Sequence, residues 1–237
     1  MRSYKVVLTG GPCGGKTESL KILNKNLISD NFSVVIIPET ANALLSLGYM
    51  PGKNISYFDF QNILFKIQFI KEYISEKKAI ITLCDRGLLD TKIYMTDESF
   101  DILLAQNKVK VENIADTYDA ALYYRTIAYE YPDIFQKERV YESAFVGIER
   151  DKKSLEVWKD KILQMPYSNL DGYENKIMTI YKVLKNYIVT SNFEQNRMLS
   201  DYYSQEIIPF LLSGLEQIMK INQVPNEIQV KTRRLIR

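Results

Sequence analysis

The run Gly10-Gly11-Pro12-Cys13-Gly14-Gly15-Lys16-Thr17 fits GxxxxGK(S/T) in full. The pattern has a physical logic for phosphate. Glycines let backbone N–H groups converge on anionic oxygens, the lysine ammonium reaches the β and γ phosphates, and the threonine hydroxyl suits Mg²⁺. Such a loop also needs a carboxylate at the end of a buried strand, to help hold the metal or its waters. Asp85 supplies one after Ala79-Ile80-Ile81-Thr82-Leu83-Cys84, and Arg86 follows directly. Glu39, in Ile37-Pro38-Glu39-Thr40, reads either as general base for an acceptor hydroxyl or as a cap on the next helix. Arginine is the usual counter-charge for a transferring phosphoryl group. Arg139 and Arg150 lie in the charge-dense stretch 136–153, which reads equally as a lid (about 130–155) over the nucleotide and as solvated helix. Cys13 and Cys84 read as loop filler and buried strand residue ahead of a redox-sensitive pair.

These groups need elements to carry them. Val6-Val7-Leu8 is a short continuous apolar run, as in a strand buried on both faces of a parallel sheet. After the glycine-rich turn, Leu20, Leu23, Leu27 and Ile28 recur at helical spacing. Val34-Val35-Ile36-Ile37 is the next strand, closing a right-handed βαβ unit. Further strands are expected at 79–83, 120–124 and Tyr187-Ile188-Val189, making five in all. Amphipathic helices are expected over 60–74, 155–163 and 202–221, with Pro209 tolerated in the first turns of the last. The expectation is therefore an α/β, three-layer P-loop fold: a mostly parallel five-stranded sheet with helices on both faces. Its ligand edge lies at the carboxyl ends of the strands, where Glu39, Asp85 and Arg86 emerge. One domain covers 1–224, and 225–237 reads as a solvated basic tail with Lys231, Arg233, Arg234 and Arg237.

Composition narrows the chemistry. The chain has 237 residues, 31 Lys plus Arg against 29 Asp plus Glu, and no histidine. The absence of histidine excludes Ser-His-Asp and Cys-His nucleophilic catalysis and HExxH zinc sites. Carboxylates, Lys, Arg and a bound metal must then carry any reaction. A net charge of +2 argues against general affinity for nucleic acid. No apolar stretch is long enough for a membrane helix, and the amino-terminal run is too short for a signal-peptide core. The simplest expectation is a cytoplasmic protein with no integral membrane association, and a homo-oligomer is compatible with it.

The blocks 7–17, 37–40 and 83–90, with Tyr94-Met95 after them, resemble the NadR-like AAA domain family. Tyr118-Asp119-Ala120-Ala121-Leu122 resembles that family's fourth-strand entry, so the likeness spans roughly residues 4–193. The pairing of GGPCGGKT with CDRGxxD is more specific than the loop alone. The resemblance implies a nucleoside-kinase-like P-loop fold, not an oligomeric motor. Related members include nicotinamide-riboside-kinase-type domains and a GTP-binding protein concerned with translocating a photoreceptor channel. By position it gives Lys16 and Thr17 to phosphate and Mg²⁺, Asp85 and Arg86 to an acid–arginine pair, and Asp90 to that turn or the acceptor pocket. The family's arginine-rich lid is poorly kept, with Arg139 and Glu142 as the nearest match.

The expected activity is Mg-dependent ATP binding with γ-phosphate transfer to a nucleoside-like or other hydroxyl-bearing metabolite. The cofactor-binding residues are Gly10, Gly11, Pro12, Cys13, Gly14, Gly15, Lys16, Thr17 and Asn192, and the metal residues are Thr17 and Asp85. Lys16, Glu39, Asp85, Arg86, Arg139 and Arg150 are the catalytic candidates. GTP is the alternative donor, although the segment around Asn192 lacks the guanine-specific acid of NKxD. The competing expectation is a nucleotide-binding regulatory switch with slow hydrolysis and a protein or lipid partner.

Overall fold

The computed structural model of the protein describes residues 4–139, 142–163, 172–190 and 198–236. Strand β1 (Tyr4–Thr9) is buried along its whole length and runs into the glycine-rich turn. Helix α1 (Lys16–Ser29) follows and turns Ser19, Leu20, Leu23 and Leu27 inward. Strand β2 (Val34–Ile37) leads to α2 (Thr40–Ser46) and to the long α3 (Tyr57–Ser75). Ser56 starts α3 by accepting the Asp59 N–H on its hydroxyl, which satisfies an otherwise orphaned donor. Strand β3 (Ile81–Asp85) then ends in a 3₁₀ turn, Leu88–Tyr94. Helices α4 (Asp97–Asn107) and α5 (Val111–Asp116) precede β4 (Ala120–Tyr123). The remaining helices are α6 (Pro132–Glu138), α7 (Ala144–Trp158), α8 (Tyr173–Thr190), α9 (Leu199–Tyr202), α10 (Ile207–Ile221) and α11 (Asn226–Arg234).

The sheet is parallel throughout, in the order β2-β3-β1-β4. Val6 stands beside both Leu83 and Ala120, so the first strand is central. One face packs on Leu20, Leu23 and Leu27 of α1 and Ile180, Leu184 and Ile188 of α8. The other face packs on Phe65, Phe69 and Ile70 of α3, Phe100 of α4 and Trp158 of α7. These are the helix–sheet–helix layers expected.

The strand count differs from expectation: four strands are present among the described residues. Tyr187-Ile188-Val189, expected as a strand, lies inside α8. Its neighbours Ile177, Ile180, Leu184 and Ile188 are all buried, a spacing of three, four and four that fits one helix face. Seen in isolation, the local β-branched pair hides that longer period. The outer edge of β4 instead meets Lys161–Leu163, where Ala121 N–H donates to Lys161 C=O at 2.7 Å and Leu163 N–H donates to Ala121 C=O at 3.0 Å. The helix expected over 155–163 is the end of α7 and stops at Trp158. The expected helix over 202–221 is α9 and α10, with Pro209 in the first turn of α10. The segment expected as a solvated tail forms α11 over most of its length: buried Thr232 shares a hydrogen bond with the Tyr49 hydroxyl at 2.9 Å, and Arg233 pairs with Glu216 at 2.5 Å.

Candidate functional site

The carboxyl ends of the strands deliver their residues to one edge. Leu8 and Asp85 are in register, and Arg86 N–H donates to Leu8 C=O at 3.1 Å. Gly10 has φ 120°, and a Cβ there would lie 2.0 Å from the Tyr124 carbonyl oxygen, so only glycine fits. Gly15, at φ 85°, is the residue from which α1 starts. The exposed amino end of that helix gives the loop the positive end of a dipole.

Lys16 is buried, and its Nζ donates to the carbonyls of Gly10 (3.2 Å) and Gly11 (2.6 Å). Burial first, and the Arg86 charge second, push its ammonium down to about 7, against the pull of Asp85, Glu39 and Asp90. The Thr17 hydroxyl donates to Asp85 Oδ2 at 2.7 Å. Asp85 Oδ1 is buried and makes no hydrogen bond, an unsatisfied carboxylate oxygen beside a hydroxyl. That donor set fits Mg²⁺, a hard cation that takes few protein ligands and completes its shell with water and phosphate.

Arg86 takes the left-handed region at φ 73°, uncommon for a residue with a Cβ. The conformation turns its guanidinium back over the loop, where Nη1 donates to Gly10 C=O at 2.7 Å and meets Asp90 Oδ1 at 3.3 Å. Asp90 also accepts from the Thr9 hydroxyl at 2.7 Å and from Gly87 N–H at 2.8 Å. Burial opposes the Arg86 charge, but Tyr94, Asp90, Glu39 and Asp85 outweigh it and raise its pKa above the ordinary value. Glu39 lies 3.9 Å from Arg86 Nε, and Asn42 donates to its carboxylate. Burial raises its carboxyl above the ordinary range, with Arg86 pulling the other way. Glu39 occupies the N-cap position of α2, yet its side chain caps no backbone N–H. Glu39 instead caps the helix through its backbone, its C=O accepting the Ala43 N–H at 3.5 Å.

Beside these groups lies a cavity of about 340 Å³. Pro12, Glu39, Arg86 and Asp90 stand at its loop end, while Tyr57, Phe60 and Tyr94 provide aromatic walls. Arg139 and Arg150 both line it. Arg150 pairs with Glu142 at 2.6 Å and lies 4.9 Å over the Tyr94 ring, whereas the exposed Arg139 ends α6. In α7, Gly147, Asp151, Ser154 and Trp158 face inward, while Lys152 and Glu149 pair on the outer side. Asn192 lies outside the described residues. Cys84 is buried in β3 and Cys13 is partly exposed in the loop, both as free thiols.

Three contributors to the loop's surroundings were not singled out in the sequence. Asp151 accepts the Gly11 N–H at 2.6 Å, the Tyr173 hydroxyl donates to Gly15 C=O at 3.2 Å, and Lys176 Nζ approaches Gly14 C=O at 3.5 Å. Each comes from a distant helix, so no local motif marks it. The one available signal is the inward spacing Gly147-Asp151-Ser154-Trp158, which sets a carboxylate on a buried face.

Comparison with solved structures gives the fold. A crystal structure of NadR protein in complex with NR matches with a TM-score of 0.53 and 14% identity, covering 80% of this chain and 52% of that one. A second, of NadR protein in complex with NAD and AMP-PNP, matches with a TM-score of 0.54 and 16% identity, covering 82% and 52%. The chain thus spans about half the length of these structures. No curated protein sequence matches it. Among the described residues no helix is long and apolar enough to cross a membrane. The strand–loop–helix built on Gly10–Thr17 agrees with the sequence model of the AAA domain, which matches residues 5–146, and the chain belongs to that family of P-loop nucleotide-binding domains.

Proposed function

We propose that the protein is a Mg-ATP-dependent small-molecule kinase, transferring the γ-phosphate to a nucleoside-like or other hydroxyl-bearing metabolite. The observation that carries this reading is the cavity with Glu39 and Arg86 at its phosphate-loop end. A switch that only hydrolyses nucleotide needs no second, aromatic-walled pocket there. The NadR complexes with NR and with AMP-PNP support it by analogy of fold.

In this scheme Lys16 leaves the Gly10 and Gly11 carbonyls and turns its ammonium to the β and γ phosphates, while the loop amides hold their oxygens. Thr17 and Asp85 would hold Mg²⁺, which would neutralise charge on the β and γ phosphates. Glu39, with its raised pKa, accepts the proton of the acceptor hydroxyl as the phosphoryl group arrives. Arg86, kept charged by its acidic neighbours, offsets negative charge developing near the loop, with Arg150 or Arg139 placed to assist from the cavity mouth. Tyr57, Phe60 and Tyr94 suit a planar ring, and Gln61, whose amide oxygen has no hydrogen-bond partner, offers an acceptor to its polar edge. Catalysis then rests on positioning and electrostatics, without histidine.

The test is a panel of nucleosides and riboside metabolites incubated with γ-labelled Mg-ATP. Label on an acceptor supports the kinase; labelled inorganic phosphate with no labelled acceptor supports the regulatory switch. GTP in place of ATP in the same panel decides the donor.

A further inference from the structure

A buried carboxylate that the proposed chemistry does not use ties α7 to the phosphate loop. Asp151 is fully buried. Its Oδ1 accepts two backbone N–H groups, from Gly11 at 2.6 Å and Thr126 at 3.0 Å, and its Oδ2 accepts the Tyr123 hydroxyl. The Thr126 hydroxyl in turn donates to the Pro12 carbonyl at 2.6 Å. One side chain of α7 thus joins the loop to the segment that leaves β4. Charge-assisted bonds of this kind are about twice as strong as neutral ones.

Gly11 is shaped for that contact. The motif leaves its position open, and its φ is not in the region that requires glycine. A Cβ there would nevertheless lie 2.7 Å from Asp151 Oδ1 and 2.7 Å from Thr126 Cβ. The Gly11 N–H goes to Asp151 and the Gly11 C=O to Lys16. When Lys16 turns to phosphate it releases that carbonyl, so nucleotide binding alters the residue that Asp151 grips. The preceding residue in the helix, Arg150, reaches the cavity over the Tyr94 ring, and α7 packs on the 3₁₀ turn that carries Tyr94 and Asp90.

We propose that Asp151 is a positioning residue, registering α7 against the phosphate loop so that phosphate binding is carried to Arg150 at the mouth of the acceptor cavity. The proposal rests on the reading above that the loop binds a nucleoside triphosphate. A purely structural role would stabilise α7 without making it respond to the loop.

Trp158 gives the readout, because it is the single tryptophan. It is buried two turns along the same helix, with its ring edge-on to Tyr118 at 4.8 Å. The full chain is titrated with Mg·AMP-PNP, following Trp158 emission, while binding is measured separately by equilibrium dialysis. The unaltered chain is expected to show an emission change that saturates with binding. Asp151→Asn keeps an oxygen for Gly11 and Thr126 and is expected to retain at least about half of that change. Asp151→Ala is expected to lose most of the change at saturating Mg·AMP-PNP. An Asp151→Ala response equal to the unaltered chain's, or an Asp151→Asn response as silent as alanine's, overturns the coupling. Hydrogen exchange of the unaltered chain is independent of whether any variant folds: Mg·AMP-PNP should alter exchange in 144–158 as well as in 10–17. Binding with no change in 144–158 overturns the coupling alone. No binding by the unaltered chain overturns the functional reading and the coupling with it.

Discussion

Raising the pH from about 6 to about 9 should weaken Mg-ATP binding by about 100-fold, and Lys16 is the reason. Its ammonium titrates near 7 in the nucleotide-free protein, because burial and Arg86 disfavour the charge. Bound phosphates surround it with negative charge and restore its pKa to or above the ordinary lysine value of about 10.4. Between those two values binding takes up a proton. Affinity is therefore full below about 7 and falls about tenfold per pH unit above it, reaching about 2.7 kcal/mol over two units at about 1.36 kcal/mol per unit. Titration calorimetry in buffers of different ionisation enthalpy checks this with excess Mg²⁺, which keeps the terminal phosphate ionised. Close to one proton should be taken up per nucleotide near pH 8. Lys16→Met should bind weakly and show only the residual slope of the nucleotide itself. Flat affinity across the range, with no proton uptake near pH 8, would refute the assignment of Lys16 to phosphate.

Three further outcomes follow from the geometry. Gly10→Ala combines a positive φ with overlap on the Tyr124 carbonyl, so it should lose at least about 3 kcal/mol, read as a fall in Tm of about 6–12 °C by circular dichroism. Glu39→Gln should lower kcat about 10²- to 10⁴-fold with the KM for Mg-ATP little changed. The unaltered chain should lose kcat as pH falls through a Glu39 pKa above the ordinary glutamate value, and the glutamine variant should lack that acid limb. Asp85→Asn keeps an acceptor for the Thr17 hydroxyl but loses the charge, so the Mg²⁺ concentration for half-maximal rate should rise about 10- to 100-fold.

The parts of the site that were readable in the sequence are those whose spacing is local. Gly10–Thr17 fixes loop and helix start together, Asp85 ends a strand whose apolar run announces it, and Arg86 and Glu39 sit just past their strands. Asp151 was not readable, because the charged residues around it, Glu149, Arg150, Lys152 and Lys153, look like a solvated face. Its burial is decided by which side of α7 meets the sheet, a property of the whole fold. The helix in place of the strand expected at 187–189 has a similar cause: Ile188 and Val189 favour strand locally, but Ile177, Ile180 and Leu184 bind the segment to a helix face. The carboxyl-terminal segment carries its basic residues on a helix whose Thr232 is buried, so charge alone gave no sign that it packs.

Phosphoryl transfer at the edge shared by Lys16, Glu39, Asp85 and Arg86 is tested by where the γ-phosphate goes. The most direct test follows the label of γ-labelled Mg-ATP in the presence of a nucleoside and riboside panel, for the unaltered chain and for Lys16→Ala. Label should appear on a hydroxyl-bearing small molecule and be abolished by Lys16→Ala. Label released only as inorganic phosphate, or turnover unchanged in Lys16→Ala, would contradict it.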